Sequence, residues 1–563
     1  MTDGDKKQST TQSSTDDFAT SIVGAFAAPE PGATDAVPEA GNADAFDADA
    51  LSSPVLVSDA DLNILPERLV LSGPVPGPKT PGACARFLLM LLADEGVQLR
   101  HWHDGWHVYR ERHTGGRYAP LEGADARYAV TDCVRRILDD ATYLVTTKDG
   151  QELRPWSPTV SSVREVVEAM ASSQRLSDAV RAGSWIHEAA RREAEMPGGE
   201  ITCVANGLLW SPREGGARAR ALLDHTPAFF TDTSVAVDYD AEAPAPAAWL
   251  AFLEQLWPGD GDSQALLQEW FGYVLCGTTA LHKILTLVGP PRCGKGTIAK
   301  ILSALLGGPE RVDHPAMNRL AEPFGLAPML GKRLAVIGDA RLGKTDAAIV
   351  EKLLMISGED PVTVNRKNKD ELNVRLDARI MIVSNEPPRL KDDSGALASR
   401  FLPLAIRVPG WLGREDLGLS DRLLGELPGI LLWALEGADR LWSNGGRFTI
   451  GDAVRANMDE TERATSPIKA FIADCFEICE DPSQALDADG RTYRDEWCVT
   501  KDALHEALVL WCAENGYSYV LPKPQLCNAV YNAYPSVDKA RQRRGDKRVQ
   551  VLVGLRPRPS SSY

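Results

Sequence analysis

The segment from Ile284 to Leu306 constrains the fold of this chain more than any other. The run Ile284–Val288 is short, apolar and β-branched, as buried strands are, and Thr297–Leu306 has helical periodicity. Between them lies Gly289-Pro290-Pro291-Arg292-Cys293-Gly294-Lys295-Gly296-Thr297, here called the phosphate loop. A strand, a glycine-containing loop and a helix in this order are the context that a P-loop requires. The segment therefore predicts an α/β nucleotide-binding domain.

The phosphate loop has the residues that bind nucleotide phosphates. Gly289 and Gly294 allow a tight turn that points backbone N–H groups at an anion, and the following helix adds its N-terminal partial charge. Lys295 can then reach the β- and γ-phosphates. Gly296 stands where a Ser or Thr hydroxyl usually binds Mg²⁺, so Thr297 or a water molecule supplies that ligand. The Gly-Lys-Gly-Thr ending is similar to that of nucleoside monophosphate kinases, which leaves a small-molecule kinase open at this point.

Three polar residues follow the phosphate loop in the order that a motor ATPase needs. Asp339 ends the apolar run that begins at Lys332, and a carboxylate there can hold magnesium or its waters and orient the attacking water. Asn385 ends the next apolar run and can hold the lytic water or contact the γ-phosphate. Arg400 ends a predicted helix, and in ring ATPases such an arginine neutralises transition-state charge in the neighbouring subunit's site. Their order favours catalytic roles over capping, turn or surface ion-pair roles.

These motifs make the chain similar to the superfamily 3 helicases. Within them it resembles the phage and plasmid primase–helicase family, which includes satellite-phage and poxvirus members. The resemblance extends over most of the chain from about residue 95. The segments that carry it are Gly289–Thr297, Lys332–Asp339, Gly358–Val364, Ser384–Pro388, Ser399–Phe401 and Glu426–Ile430.

The resemblance implies an AAA+ type ATPase that uses ATP and Mg²⁺. Such proteins form homo-oligomers, usually hexameric rings, that translocate on single-stranded DNA and unwind forked DNA during replication. By position, Lys295 would bind phosphate, Asp339 would be the Walker B acid, Asn385 the sensor and Arg400 the trans-acting finger. Relatives that prime DNA have a separate catalytic domain upstream. Because the upstream segment here is acidic and predicted to be disordered, no priming activity is expected.

A DNA-contacting hairpin is also implied by the resemblance. In the family, a hairpin between the strands at Val362 and Val383 projects into the channel of the ring and grips the DNA backbone. Lys367 and Lys369 lie near its turn. Lysines on a hairpin tip suit phosphate contacts that do not read bases. On the sequence alone, a solvated turn would be the alternative.

Composition and periodicity divide the 563 residues into five predicted segments. The first is rich in Ala, Asp, Ser, Thr and Pro, and its low hydrophobicity cannot offset the entropy of ordering. Prolines from Pro74 to Pro81 extend it as a linker, and order is expected from about Ala83. Helical patterns include Leu176–Arg191 in the second segment. The segments are 1–75, a disordered acidic tail; 76–245, a mixed α/β domain; 246–410, an AAA+ ATPase domain; 411–465, a helical extension; and 466–563, a winged-helix DNA-binding domain.

The last segment predicts three helices and a basic hairpin, as in a winged-helix fold. The predicted helices are Ser466–Cys479, Thr500–Gly516 with Thr500 as its N-cap, and Lys523–Tyr531. The candidate DNA contacts are Arg543, Arg544, Lys547 and Arg548. A cluster of basic residues on one hairpin favours nucleic acid over a solvated hairpin or a subunit contact.

Overall charge, cysteine usage and hydropathy argue against several other classes of protein. The net charge of −17 is unlike that of proteins that coat nucleic acid with their whole surface, so DNA contacts must come from local basic patches. The ten cysteines contain no Cys-x-x-Cys pair, which favours reduced thiols in a cytoplasmic protein. The alternating His and Trp residues from His101 to His107 predict a β-hairpin with aromatic packing rather than a metal site. No apolar run is long enough to span a membrane.

The function most consistent with these features is that of an ATP-dependent DNA helicase in the replication of a phage, prophage or mobile element. One alternative is an ATP-gated DNA-binding replication initiator that does not unwind DNA. The other is a nucleoside monophosphate kinase-like enzyme, which would leave the basic hairpins and Arg400 unexplained.

Overall fold

The computed structural model describes residues 65–558, with gaps at 67–68, 104, 122, 178–179, 187–198, 213–219, 278, 339–346, 368–369, 389, 391–394, 480, 482–484, 487–493, 516–519 and 545–546. These residues all belong to one compact unit. None of the helices within the described part of the chain has the length and apolar character that a membrane crossing requires.

The region before residue 245 combines helices with small antiparallel sheets, as the mixed α/β prediction expects. Its helices are Pro81–Asp94, Glu111–Thr114, Gly123–Asp139 and Val160–Ser173. Its strands are β1 Gln98–Trp102, β2 Gly105–Tyr109, β3 Tyr118–Pro120, β4 Thr142–Thr147, β5 Gly150–Pro155, β6 Ser184–Trp185, β7 Gly199–Val204, β8 Gly207–Pro212, β9 Ala221–Leu223 and β10 Phe229–Phe230. The sheets are β1-β2-β3, β4-β5, β7-β8-β9 and β6-β10. The predicted His/Trp hairpin is the β1–β2 pair, and Trp102 packs edge-on against His107 and Phe230.

The segment just before the first helix differs from the predicted tail and linker. Leu65, Leu69 and Val75 are buried in the core of this region. The Val75 backbone N–H donates to the Thr142 carbonyl at 2.8 Å, and the Trp156 indole N–H donates to the Pro76 carbonyl at 2.9 Å. Three widely spaced apolar residues are enough to hold this segment in place because all three are buried in the same core. The average composition of the segment does not reveal this burial.

The predicted helix Leu176–Arg191 is wrong where the structure describes it. Ser184–Trp185 forms strand β6, which pairs with Phe229–Phe230 in antiparallel register. The apolar spacing of this stretch serves long-range pairing and aromatic packing, since the Trp185 and Phe229 rings lie 5.3 Å apart. The end of the predicted helix, from residue 187, lies outside the described residues.

A five-stranded parallel sheet forms the centre of the next region. The strands are β11 Ile284–Val288, β12 Val312–Asp313, β13 Leu334–Gly338, β14 Val362–Val364, β15 Leu372–Val374, β16 Arg379–Ser384 and β17 Phe401–Ala405. The parallel sheet has the order β12-β13-β16-β11-β17, and β14 pairs with β15 as a separate hairpin. The strands at 284–288, 334–338 and 379–384 confirm the apolar runs seen in the sequence. Hydrophobic cores cover both faces, as parallel sheets require.

Helices surround this sheet and follow it. Those before and within the sheet are Ala247–Leu256, Gly261–Leu275, Lys295–Leu305 and Ala347–Ser357, and those after it are Leu419–Gly425, Leu427–Ser443 and Asp452–Thr465. Gly272 and Gly437 let two of them approach closely, since a Cβ atom at Gly437 would lie 2.2 Å from the Gln268 carbonyl oxygen. The helical segment after the sheet therefore packs onto the helices before it.

The last region contains three helices and a three-stranded antiparallel sheet. Its helices are Pro467–Cys475, Lys501–Glu514 and Lys523–Ala533, and its strands are β18 Phe476–Ile478, β19 Cys498–Thr500, β20 Asp538–Arg544, β21 Lys547–Val553 and β22 Leu555–Pro557. The Thr500 hydroxyl accepts from the Ala503 backbone N–H at 3.1 Å, which confirms the predicted N-cap. The helix predicted to reach Cys479 ends at Cys475 instead, because Phe476–Ile478 pairs with Leu555–Pro557 from the far end of the region.

Candidate functional site

The phosphate loop follows the central strand β11 at the edge where the parallel strands end, here called the carboxyl edge. Ligands of open α/β sheets bind at this edge. Gly294 has a φ of 94°, and a Cβ atom there would lie 2.9 Å from the Phe252 ring. Only glycine fits both the left-handed backbone and the close approach of the ring. The helix that begins at Lys295 then directs its N-terminus at the loop.

Lys295 is held inside the loop, with only 7% of its surface exposed. Its Nζ donates to the Gly289 and Pro290 carbonyl oxygens, each at 2.8 Å, and to Asn385 Oδ1 at 3.0 Å. The parallel register places Val288 beside Ser384, so the residues that follow the two strands meet. The structure thus brings together the predicted phosphate-binding lysine and the predicted sensor asparagine.

Cys293 contributes a neutral thiol to the same cluster. Its Sγ lies 3.6 Å from Lys295 Nζ. Burial raises the pKa of the Cys293 thiol, and the Lys295 ammonium opposes this shift only in part. The thiol is therefore protonated at neutral pH and adds no charge that would compete with a phosphate for the lysine.

The predicted magnesium ligands are only partly described. Thr297 is half-buried in the first turn of the helix that starts at Lys295, and Gly296 beside it is exposed. Asp339 lies outside the described residues. The strand that precedes it ends at Gly338, which pairs with Val383 at the carboxyl edge. A hydroxyl and a carboxylate are hard oxygen donors of the type that Mg²⁺ takes.

A second loop supports the phosphate loop from outside, and no sequence pattern indicated it. The Ile406 backbone N–H donates to the Val288 carbonyl at 2.7 Å, and the Trp411 backbone N–H donates to the Arg292 carbonyl at 3.0 Å. A Cβ atom at Gly410 would lie 2.1 Å from the Pro291 carbonyl oxygen. The loop after β17 thus holds the phosphate loop in place through backbone contacts.

Gly410→Ala is expected to destabilise the protein by about 2 kcal/mol, the usual cost of overpacking. The added methyl group would meet a backbone oxygen, which cannot rotate away. Thermal or urea unfolding of the full chain would measure the loss. Gly425→Ala is the matched control, because a Cβ atom there has open space. Equal stability of the two variants would contradict the close approach.

Arg400 lies at the opposite edge of the sheet, here called the amino edge. It immediately precedes β17, whose first residue Phe401 pairs with Ile284 of β11. The length of a strand, about 16 Å for five residues, separates this edge from the phosphate loop. The Arg400 guanidinium donates to the Leu354 carbonyl, and to Ser357 Oγ at 2.7 Å. The structure therefore does not bring Arg400 to the Lys295–Asn385 cluster of its own chain.

Lys283 is a basic neighbour of Arg400 that no sequence motif indicates. Its Nζ donates to the Ser399 carbonyl at 2.7 Å. Burial lowers the pKa of Lys283, and the positive charge of Arg400 lowers it further. Two cations thus lie just before the first residues of two adjacent strands, and only the strand order shows that they are neighbours.

The predicted DNA-contacting segments both form hairpins. In the 362–374 hairpin, made by β14 and β15, Lys367 is exposed near the turn, and the Arg366 guanidinium donates to the Asp370 carbonyl at 3.0 Å. Lys369 lies outside the described residues. In the C-terminal hairpin, made by β20 and β21, Arg543 and Arg548 are both exposed.

Register in the C-terminal hairpin places like charges opposite one another. Arg543 pairs with Arg548, and Arg544 pairs with Lys547 at the turn. Directly opposed like charges destabilise a two-stranded ribbon. The arrangement concentrates positive potential on one short ribbon of an otherwise acidic chain.

Comparisons with known proteins add two findings. Residues 287–400 match a family of unknown function, DUF5906. Among solved structures, the chain is similar to an apo structure of the NrS-1 C-terminal region, with 13% identity and a TM-score of 0.48 over 84% of this chain and 99% of that chain. An A-form apo structure of the same region gives 12% identity and a TM-score of 0.46 over 83% of this chain and 98% of that chain.

Proposed function

We propose that this chain is an ATP-hydrolysing DNA helicase that translocates on single-stranded DNA during replication of a phage, prophage or mobile element. The observation that carries the proposal is the Lys295–Asn385 cluster at the carboxyl edge of a parallel sheet. A buried ammonium, a left-handed glycine and a helix N-terminus together suit the phosphates of a nucleotide.

The chain's own residues have distinct tasks in this proposal. Lys295 exchanges the carbonyl oxygens of Gly289 and Pro290 for phosphate oxygens, which carry more negative charge. Asn385 keeps the lysine in position and presents its amide to the γ-phosphate or the attacking water. Thr297 and Asp339 are the proposed magnesium ligands, and bound magnesium would neutralise charge on the phosphates.

The place of Arg400 supports the proposed assembly into a ring, for which the family resemblance implies six subunits. An arginine finger must reach the γ-phosphate, and Arg400 stands at the edge of the sheet remote from its own phosphate loop. In this proposal Arg400 therefore acts at the site of a neighbouring subunit. We propose that neighbouring subunits stack the amino edge of one sheet against the carboxyl edge of the next.

The two basic hairpins supply the proposed contacts with DNA. Lys367 is exposed near the turn of one hairpin, and Arg543 and Arg548 are exposed in the other. The proposed contacts are these three residues together with Lys369, Arg544 and Lys547. Phosphate contacts of this kind fix register on the strand but do not read sequence. Binding a polyanion would also relieve the repulsion between the opposed cations of the C-terminal hairpin.

The double variant Lys367→Ala with Lys369→Ala is expected to weaken binding to single-stranded DNA and to lower its salt dependence. Each lysine that contacts a phosphate contributes roughly 0.7 to the slope of log K against log salt. Fluorescence anisotropy with labelled oligonucleotides at several salt concentrations would measure both effects. Lys148→Ala is a matched control, because Lys148 is an exposed lysine in the β4–β5 turn. If the slope of log K against log salt is unchanged in the double variant, the 362–374 hairpin does not contact DNA phosphates.

Unwinding of a forked duplex is the test of the proposed function. The full chain with ATP and magnesium should separate the strands, and single-stranded DNA should stimulate its ATPase activity. ATP hydrolysis without stimulation and without strand separation would refute the helicase proposal. ATP-dependent DNA binding without strand separation would instead favour the replication initiator.

A further inference from the structure

The loop after β17 places a tryptophan residue, Trp411, beside the phosphate loop. Trp411 donates its backbone N–H to the Arg292 carbonyl at 3.0 Å, and its own carbonyl accepts from the Arg414 N–H at 2.7 Å. The first bond ties the residue to the phosphate loop, and the second makes a tight turn. Gly410 packs against Pro291 just before it. The position of Trp411 relative to the phosphate loop is therefore fixed by backbone contacts.

The burial of Trp411 differs from that of a tryptophan used only for packing. Trp257 nearby is 4% exposed and donates its indole N–H to the Ala405 carbonyl at 2.9 Å. Trp411 is half-buried and packs against the main hydrophobic core, so part of this residue stays accessible to solvent. The next residue, Leu412, is 75% exposed, so the chain lies at the surface at this point.

We propose that the Trp411 ring stacks on the base of the nucleoside triphosphate whose phosphates are bound by Lys295. The inference rests on the proposed nucleotide binding and adds the subsite for the base. A ribose links base and phosphates, so the base must lie alongside the phosphate loop. An indole is the largest aromatic face that a side chain offers, and stacking accepts any purine because each has a π face. Affinity for ATP and GTP should depend on Trp411 to a similar extent.

Binding measurements on the full chain test this subsite without relying on catalysis. Isothermal titration with ATP and with inorganic tripolyphosphate separates the base subsite from the phosphate subsite. Trp411→Leu should weaken ATP binding about tenfold, within the range for one stacked base, and should leave tripolyphosphate binding unchanged. Trp411→Phe should keep most of the ATP affinity, since it retains an aromatic ring. Leu412→Ala, at the adjacent exposed position, should bind both ligands as wild type does.

Each other outcome has a definite meaning. If Trp411→Leu binds ATP as tightly as wild type does, the base subsite is elsewhere and the inference is wrong. If it loses affinity for ATP and tripolyphosphate equally, Trp411 acts by supporting the phosphate loop and not by stacking. If the wild-type chain binds neither ligand, the proposed nucleotide binding itself fails.

Discussion

Lys295→Ala is expected to bind ATP at least 100-fold more weakly than wild type and to lose detectable hydrolysis. The lysine is the buried cation of the phosphate loop, and it already bonds two loop carbonyls and Asn385. Hydrogen bonds to charged groups contribute about 1.5–3 kcal/mol each, so two lost phosphate contacts correspond to a hundredfold or more. Isothermal titration with ATP would measure the loss.

Two variants separate binding from folding at this position. Lys295→Met keeps the aliphatic volume and removes only the ammonium, so it should fail to bind ATP while its thermal unfolding stays close to that of wild type. Lys300→Ala, on the same helix, should bind ATP normally. ATP affinity within threefold of wild type in Lys295→Met would contradict the assignment of the phosphate loop.

Arg400→Ala is expected to bind ATP within a few-fold of wild type but to hydrolyse it at least 10³-fold more slowly, the lower end for arginine fingers. The residue also caps the helix Ala347–Ser357 through Leu354 and Ser357, so some thermal stability should be lost as well. Ser357→Ala provides the control, because it removes one of these bonds and leaves the guanidinium. If Ser357→Ala is as inactive as Arg400→Ala, the arginine is structural.

Mixing the inactive variants tests whether Arg400 acts in the neighbouring subunit. A mixture of Arg400→Ala and Lys295→Ala chains contains interfaces that pair an intact phosphate loop with an intact arginine. Those interfaces should recover part of the ATPase activity, and neither variant alone should do so. If both variants assemble and the mixture stays inactive, Arg400 is not a trans-acting group.

The sequence predicted the central sheet well because its strands are marked locally. Ile284–Val288, Leu334–Gly338 and Arg379–Ser384 are apolar runs that need burial on both faces, and each keeps the position that its composition indicates. Lys295 and Asn385 were each predicted to act at the γ-phosphate, and the parallel register of their strands brings them together. The local residue pattern was therefore enough to predict elements whose structure depends on residues close by in the sequence.

The features that escaped prediction depend on distant partners. Leu65, Leu69 and Val75 enter a core formed by residues as far away as Met170, and nothing in their own composition signals it. The hydrogen bond between Trp411 and the phosphate loop joins two backbone atoms. Because every residue except proline has the same backbone groups, such a bond cannot be predicted from the types of residue in the sequence. The bonds from Arg400 to its own helix likewise depend on where two elements far apart in sequence pack.

The cap that Arg400 places on the helix Ala347–Ser357 has a mechanical consequence. Only a short segment separates Ser357 from Val362, where the 362–374 hairpin begins, and Thr279 anchors that segment through the Glu359 carboxylate. An arginine drawn across to a phosphate on an adjacent chain must leave the carbonyl of Leu354 and the hydroxyl of Ser357. The 362–374 hairpin would then be held by the Thr279–Glu359 contact alone and no longer by the Arg400 contacts as well. Its flexibility would therefore depend on whether the nucleotide site of the neighbouring subunit is occupied.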